Sequence, residues 1–301
     1  MSTLNVDKVD PSTGTALEIG TSGDTITVPS GATFVVAGTT EITGTNNVQR
    51  HNANPSIING DMQVAQRGTS FAHPDTNNNS YTCDRMNFQT GSIGVYTSIQ
   101  DVLTSGAAFD AGFKMAARID CTTAVASPDA GDYFNFVYAL ESQDCLAWKK
   151  GTTNATKMTL AFWVKSNVTG TGQVNLKDDD NDRMVSGTYT TDVTNTWEKK
   201  IISFPMETSN PMNNDNGKGF ILEWWLGSGT SYNSGTAPTS WEARTDADRD
   251  ASGTLNINDN TANDWAITGI QIEVGEYTSS TIPPFQHESY GDNLARCQRY
   301  Y

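Results

Sequence analysis

Two kinds of residue in this chain could do chemistry: carboxylates crowded into loops, and aromatic rings set among glycine, serine and threonine. The run Lys177-Asp178-Asp179-Asp180-Asn181-Asp182 is the densest carboxylate cluster. Oxygen-rich loops of this kind hold Ca²⁺, a hard cation that takes about six to eight oxygen ligands. Asp178, Asp180 and Asp182 are the candidate ligands. The spacing departs from an EF-hand, because no glycine occupies the turn position and no glutamate follows at the required distance. At a hairpin tip the same run is a solvated turn of Asp and Asn. Asp246, Asp248 and Asp250 form a second acidic stretch with the same two readings. A glycosidase needs two carboxylates held across a sugar bond, and 34 acidic residues give no basis for choosing a pair. No Ser–His–Asp set or phosphate-cradling loop is visible. The chain is read as a non-enzyme, with Ca²⁺ the single cofactor for which residues can be named.

The aromatic residues carry more information. Trp224 and Trp225 are adjacent, so on a strand they point to opposite faces, one into a core and one outward. The segment from Leu226 to Trp241 is rich in Gly, Ser and Thr and contains Tyr232. Long loops on a rigid scaffold are where binding sites concentrate. Sugars present C–H faces that stack on flat rings, which makes Trp225, Tyr232 and Trp241 candidate carbohydrate contacts. The competing assignment is packing in the core or between subunits, since tryptophan is usually largely buried.

The elements that must position these residues are strands. Trp265 to Val274 alternates, with Ala266, Thr268, Ile270, Ile272 and Val274 on one side and Trp265, Ile267, Gly269, Gln271 and Glu273 on the other. Apolar residues on both sides predict a central strand. Phe113–Cys121 alternates against a charged face, and Met158–Lys165 places Met158, Leu160, Phe162 and Val164 together. Further strands are expected at 56–64, 86–89, 94–101, 133–140, 172–176, 184–190, 197–204 and 219–226, with short helices at 141–149 and 290–301, the second capped near Asp292. Many short strands separated by turn residues, without long helices between them, predict an all-β antiparallel sandwich.

Residues 1–50 differ in composition, with no Trp or Tyr and one Phe, Phe34. Short apolar pairs such as Leu17/Ile19, Ile26/Val28 and Phe34/Val36 are broken by glycines. Such pieces bury too little to offset an ordering entropy of roughly 1–2 kcal/mol per residue. Either the segment is disordered or it shares its core with other copies; the recurring Ile/Val/Phe pattern favours a β-rich stem, and a homotrimer is expected. The polar stretch Thr43–Asn54 reads as a linker, and residues 51–301 form the sandwich domain.

The formal charge is −15, which argues against nucleic-acid binding. No apolar run approaches the roughly 18–20 residues needed to span a bilayer, and the first residues, MSTLNVDKVD, lack a secretory leader. The four cysteines match no zinc spacing and are expected as small buried hydrophobes.

Several motifs point to a family. Gly269-Ile270-Gln271-Ile272-Glu273-Val274-Gly275, Pro284-Phe285, Ser289-Tyr290-Gly291 and Leu294-Ala295-Arg296-Cys297-Gln298-Arg299-Tyr300-Tyr301 resemble the close of the jelly-roll domain found in many phage tail fibres. Asn54-Pro55, Asn59-Gly60-Asp61, Gln66-Arg67-Gly68, Asp84-Arg85-Met86 and Leu160–Ser166 are similar to its earlier segments. The resemblance covers about residues 54–301 and implies a jelly-roll β-sandwich like that of carbohydrate-binding modules. It further implies a virion structural protein, assembled in the host cytoplasm and exposed on the particle. Residues 1–50 would join other virion proteins, and the jelly roll, at the exposed end, would contact a host surface polysaccharide. A tail fibre is the leading expectation, a capsid decoration protein the runner-up, and a polysaccharide-degrading spike the third. Neither nucleic acid nor membrane insertion is expected.

Overall fold

The computed structural model describes residues 55–73 and 78–300. The expected stem at 1–50 lies outside them. Among the described residues thirteen strands form two antiparallel sheets. They are β1 (Ser70–His73), β2 (Asn78–Ser80), β3 (Asn87–Gly91), β4 (Val95–Val102), β5 (Met115–Thr123), β6 (Tyr133–Glu141) and β7 (Met158–Ser166), followed by β8 (Gly170–Asp178), β9 (Arg183–Thr191), β10 (Glu198–Phe204), β11 (Lys218–Ser228), β12 (Glu242–Ala243) and β13 (Asp264–Val274). One sheet runs β1-β4-β5-β13-β7-β10 and the other β12-β9-β8-β11-β6-β3-β2. The chain crosses repeatedly between the sheets, and the architecture is a jelly-roll sandwich.

The core between the sheets is aromatic. Phe88, Phe134, Phe136, Phe162, Phe220, Trp224 and Trp265 are all buried in it. Phe136 meets both Trp224 and Trp265 with ring centroids 5.6 Å apart, in edge-on or tilted geometry. The predicted inward faces of β5 and β7 are the observed ones: Ala117, Ile119 and Cys121, and Met158, Leu160, Phe162 and Val164, lie in this cluster.

β13 departs from simple alternation. Trp265 and Ile267 face the core, and so do Ile270 and Ile272. The pairing to β7 slips between Thr268 and Gln271, where Gly269 takes φ +63°. This bulge adds a residue and flips the faces. The apolar residues on both sides of the sequence pattern are therefore partly one face read twice.

The segment expected as the first strand, 56–64, is instead a pair of turns with Asn59 and Met62 at positive φ. Asparagine tolerates that region because its side chain bonds locally. Here the Asn59 amide donates to the carbonyls of Val64 and Asp84, both at 2.9 Å, and accepts from the Val64 N–H. The expected helix at 141–149 is a short α-turn, Ser142–Cys145, followed by a 3₁₀ turn, Leu146–Trp148. The C-terminal helix, Tyr290–Gln298, is capped by Ser289 rather than at Asp292: the Ser289 hydroxyl accepts from the Asp292 N–H. This helix closes on the opening turns. Ile58, Val64 and Cys297 form a small cluster with Leu294 and Tyr300, and the Arg85 guanidinium lies 3.6 Å from the Tyr300 ring centroid. The first and last motifs of the domain thus meet in one clasp. All four cysteines are free and buried. Among the described residues no helix is long and apolar enough to cross a membrane.

Candidate functional site

The outer face of the seven-stranded sheet is made by alternate residues of β3, β6, β11 and β8. Phe134, Phe136, Leu222, Trp224, Val174 and Leu176 point into the core, so the residues between them point away. Register places Asn135 opposite Trp225, and Glu223 opposite Val137 and Asn175. Asn87 in turn lies opposite Val137. Trp224 and Trp225 therefore occupy opposite faces, as their adjacency requires.

The connection between β11 and β13 folds over part of this face. Gln173 Nε2 donates to the Asp248 carbonyl at 2.9 Å, and Asn175 Nδ2 to the Arg249 carbonyl at 2.7 Å. The Ser252 N–H returns a bond to Gln173 Oε1 at 2.8 Å. Pinned this way, the loop brings Tyr232 to 5.2 Å from Trp225 and 5.5 Å from Tyr133, measured between ring centroids. The Arg249 guanidinium lies 4.8 Å from the Trp225 ring and 5.5 Å from Tyr232. Trp225 is covered, at 1% exposure, while Tyr133 and Tyr232 are half-buried and form the outer edge of the group.

Charge beneath the loop is balanced. Glu223 Oε1 accepts from Lys177 Nζ and from an Arg249 terminal nitrogen, both at 2.9 Å. The other Arg249 terminal nitrogen reaches Asp246 at 3.1 Å. Burial alone would push the Glu223 carboxyl up, but Arg249 and then Lys177 outweigh it and hold its pKa below the usual range. Asp250 has no such cation. Its Oδ2 accepts from the Ser228 hydroxyl at 2.7 Å, and burial pushes its pKa up to about 7. Several buried polar atoms here have no partner in the protein: Asn87 Oδ1, both amide atoms of Asn135, Glu223 Oε2, Trp225 Nε1, Arg249 Nε and Asp250 Oδ1.

Of the aromatic residues singled out from sequence, Trp225 and Tyr232 come together and Trp241 does not. Trp241 packs 5.9 Å from the core ring of Phe220 and donates from Nε1 to the Pro205 carbonyl at 2.7 Å. Next to it Lys150 Nζ, with a fully buried side chain, contacts Asp178 at 2.6 Å and Glu207 at 3.2 Å. Asp178, a candidate metal ligand, is thus tied into an ion pair and also accepts from the Asn181 backbone and side chain. The other two candidates take different partners: Asp180 binds Asn213, and Asp182 pairs with Arg244 at 2.7 Å. Among the described residues no three His, Cys, Asp or Glu side chains form a group that could hold a metal ion. In the second acidic stretch, Asp248 Oδ1 accepts from the Thr236 N–H at 2.7 Å.

Sequence reasoning missed Tyr133, Asn135, Glu223 and Arg249. Glu223 had a signal, a single charge inside the apolar run Gly219–Leu226. Another buried polar group, His73 Nε2 within 2.6 Å of Ser98 Oγ, lies fully buried in the sandwich. Burial pushes the His73 pKa down to about 4, so its ring is neutral at physiological pH. Two open hollows of about 310 Å³ flank Pro55 and Ser56 near Arg296 and Trp148 and include none of the aromatic trio.

No protein-family model matches the chain, and no curated protein matches it. Among solved structures it is similar to the enzymatically active domain of tailspike protein 4 of bacteriophage CBA120, at 13% identity and a TM-score of 0.33. That match covers 73% of this chain and 21% of the other. It is also similar to the carbohydrate-binding module TmCBM61 in complex with β-1,4-galactotriose, at 9% identity and TM-score 0.30, covering 74% of this chain and 99% of the module. A family 11 carbohydrate-binding module of a cellulosomal cellulase from Clostridium thermocellum matches at 8% identity and TM-score 0.32, covering 75% of this chain and 99% of the module. The chain spans about a fifth of the tailspike chain. At these values the assignment of the fold rests on the chain's own strand order.

Proposed function

We propose that this chain is a structural protein of a phage virion, a homotrimeric fibre whose jelly roll binds a glycan on the host surface. The observation that carries the binding assignment is the convergence of Tyr133, Trp225 and Tyr232 on one face of the seven-stranded sheet. Two of these rings stand half-exposed at the edge, above a floor of asparagine, glutamine and a neutralised glutamate. Flat rings beside fixed polar groups suit a ligand with apolar C–H faces and hydroxyl edges. The virion assignment is supported by the motifs at Asn59-Gly60-Asp61, Asp84-Arg85-Met86 and Leu294–Tyr301. The excess of acid over base fits a particle-surface protein that avoids nucleic acid.

The test uses purified full-length chain added to host cells ahead of the phage. The expected result is a trimer in sedimentation, adsorption to the cells and protection from infection. Tyr232→Ala should weaken adsorption by about tenfold, in the range for loss of an aromatic anchor. Full infection in the presence of saturating chain, with equal adsorption of the variant, would contradict the proposal.

A further inference from the structure

The polar atoms of this face specify the ligand's chemistry further, an argument that rests on the glycan reading just given. Seven buried atoms on the sheet face and on Arg249 and Asp250 of the loop laid over it have no partner in the protein. Asn87 Oδ1, Asn135 Oδ1, Glu223 Oε2 and Asp250 Oδ1 are acceptors; Asn135 Nδ2, Trp225 Nε1 and Arg249 Nε are donors. Each such atom left unmet costs about 1–3 kcal/mol. Water can meet such atoms in the free protein, and a ligand that displaces it must likewise both donate and accept.

The charges narrow the choice. Lys177 is engaged by Glu223, and Arg249 by Glu223 and Asp246. No cation on the patch is left uncompensated, and the whole chain carries −15. An anionic ligand group brings acceptors alone, so it would leave the acceptors of the patch unmet while approaching the Glu223 carboxylate. A cation would leave the three donors unmet. A neutral hydroxyl does both, donating one hydrogen bond and accepting others.

We infer that this face takes an uncharged, hydroxyl-rich glycan rather than an acidic one, with the Asn135 amide at its centre. Asn87, Asn135 and the pair Glu223 and Trp225 lie on the neighbouring strands β3, β6 and β11. At about 4.8 Å per strand step the floor spans roughly 10 Å, comparable to the length of two linked sugar rings. Access to the floor requires the turn Thr230–Asn233 and the Arg249 side chain to move aside. The turn is held to its surroundings by Ser231 N–H to the Ala130 carbonyl and Asp250 N–H to the Tyr232 carbonyl, each 2.8 Å, and by Asn233 Nδ2 to the Ser228 carbonyl at 3.1 Å.

The experiment is affinity electrophoresis of the full-length chain through gels carrying a neutral polysaccharide (a β-glucan, a galactan or a mannan) or an acidic one (polygalacturonate or alginate). Asn135→Leu and Asn87→Ala are run alongside, with thermal midpoints. Retardation by a neutral gel and not by the acidic ones is expected. Asn135→Leu should lose about tenfold in affinity while melting at or above the parent, because it removes a buried unmet amide. Asn87→Ala, at the rim, should lose roughly threefold. Retardation by acidic gels alone would overturn this inference and leave glycan binding standing. Retardation by no gel would overturn glycan binding itself. Parental retardation of both folded variants would overturn the role given to the unpartnered amides.

Discussion

Asp250 is a carboxylate that the fold holds without a cation. Its Oδ2 takes the Ser228 hydroxyl, and its own N–H fastens the loop at Tyr232. Burial raises its pKa from 3.8 to about 7. The native state therefore binds this proton more tightly than the unfolded chain. The resulting stability is fully present below about pH 3.8 and is lost as pH rises through about 7. At about 1.4 kcal/mol per pH unit, the loss is on the order of a few kcal/mol. Asp250→Asn keeps the neutral form at every pH. Urea denaturation should show the variant close to the parent near pH 4 and more stable than it at pH 8. A constant difference across that range would assign the effect to something other than this carboxyl. At this same scale the sequence was least readable. Asp178 and Trp241 look like ligand-contacting residues by type, yet both pack around the buried Lys150. Nothing in the linear order announces that Lys150 will neutralise Asp178.

Most elements were readable because a half-buried strand writes its period into its sequence. β5, β7 and β11 show their core faces directly. β13 shows how the reading fails. Its pattern gives two opposite faces, but the bulge at Gly269 joins Ile267 to Ile270 on one side. The reason for glycine is local: φ is +63°, and a Cβ there would meet the Phe113 ring at 2.6 Å. Gly269→Ala should therefore cost about 1–3 kcal/mol from backbone strain, with displacement of Phe113 adding to it. Equilibrium denaturation of the variant measures this, and an unchanged midpoint would contradict the role assigned to the bulge. The opening turns at 56–64 were unreadable for another reason. Asn59 takes positive φ among bonds to Val64, Asp84 and Asn293, and of these partners Asp84 and Asn293 are distant in sequence.

At the scale of the molecule, the sandwich class followed from the count and spacing of strands. The candidate site followed in half. The adjacency of Trp224 and Trp225 placed one ring on the outer sheet face, where the loop covers it, and the Gly/Ser/Thr loop supplied Tyr232. Tyr133, Asn135 and Arg249 joined them only through sheet register and loop closure, which are properties of the folded chain. The account's central claim is that this face binds a glycan. Calorimetric titration of host surface polysaccharide into the full-length chain, beside a Tyr133→Ala/Tyr232→Ala variant of the same fold, tests it most directly. The account predicts saturable heat for the parent and a loss of at least about tenfold in affinity for the variant, whose half-exposed rings are not needed for the core. Equal affinity in the two proteins, or no heat in either, would contradict it.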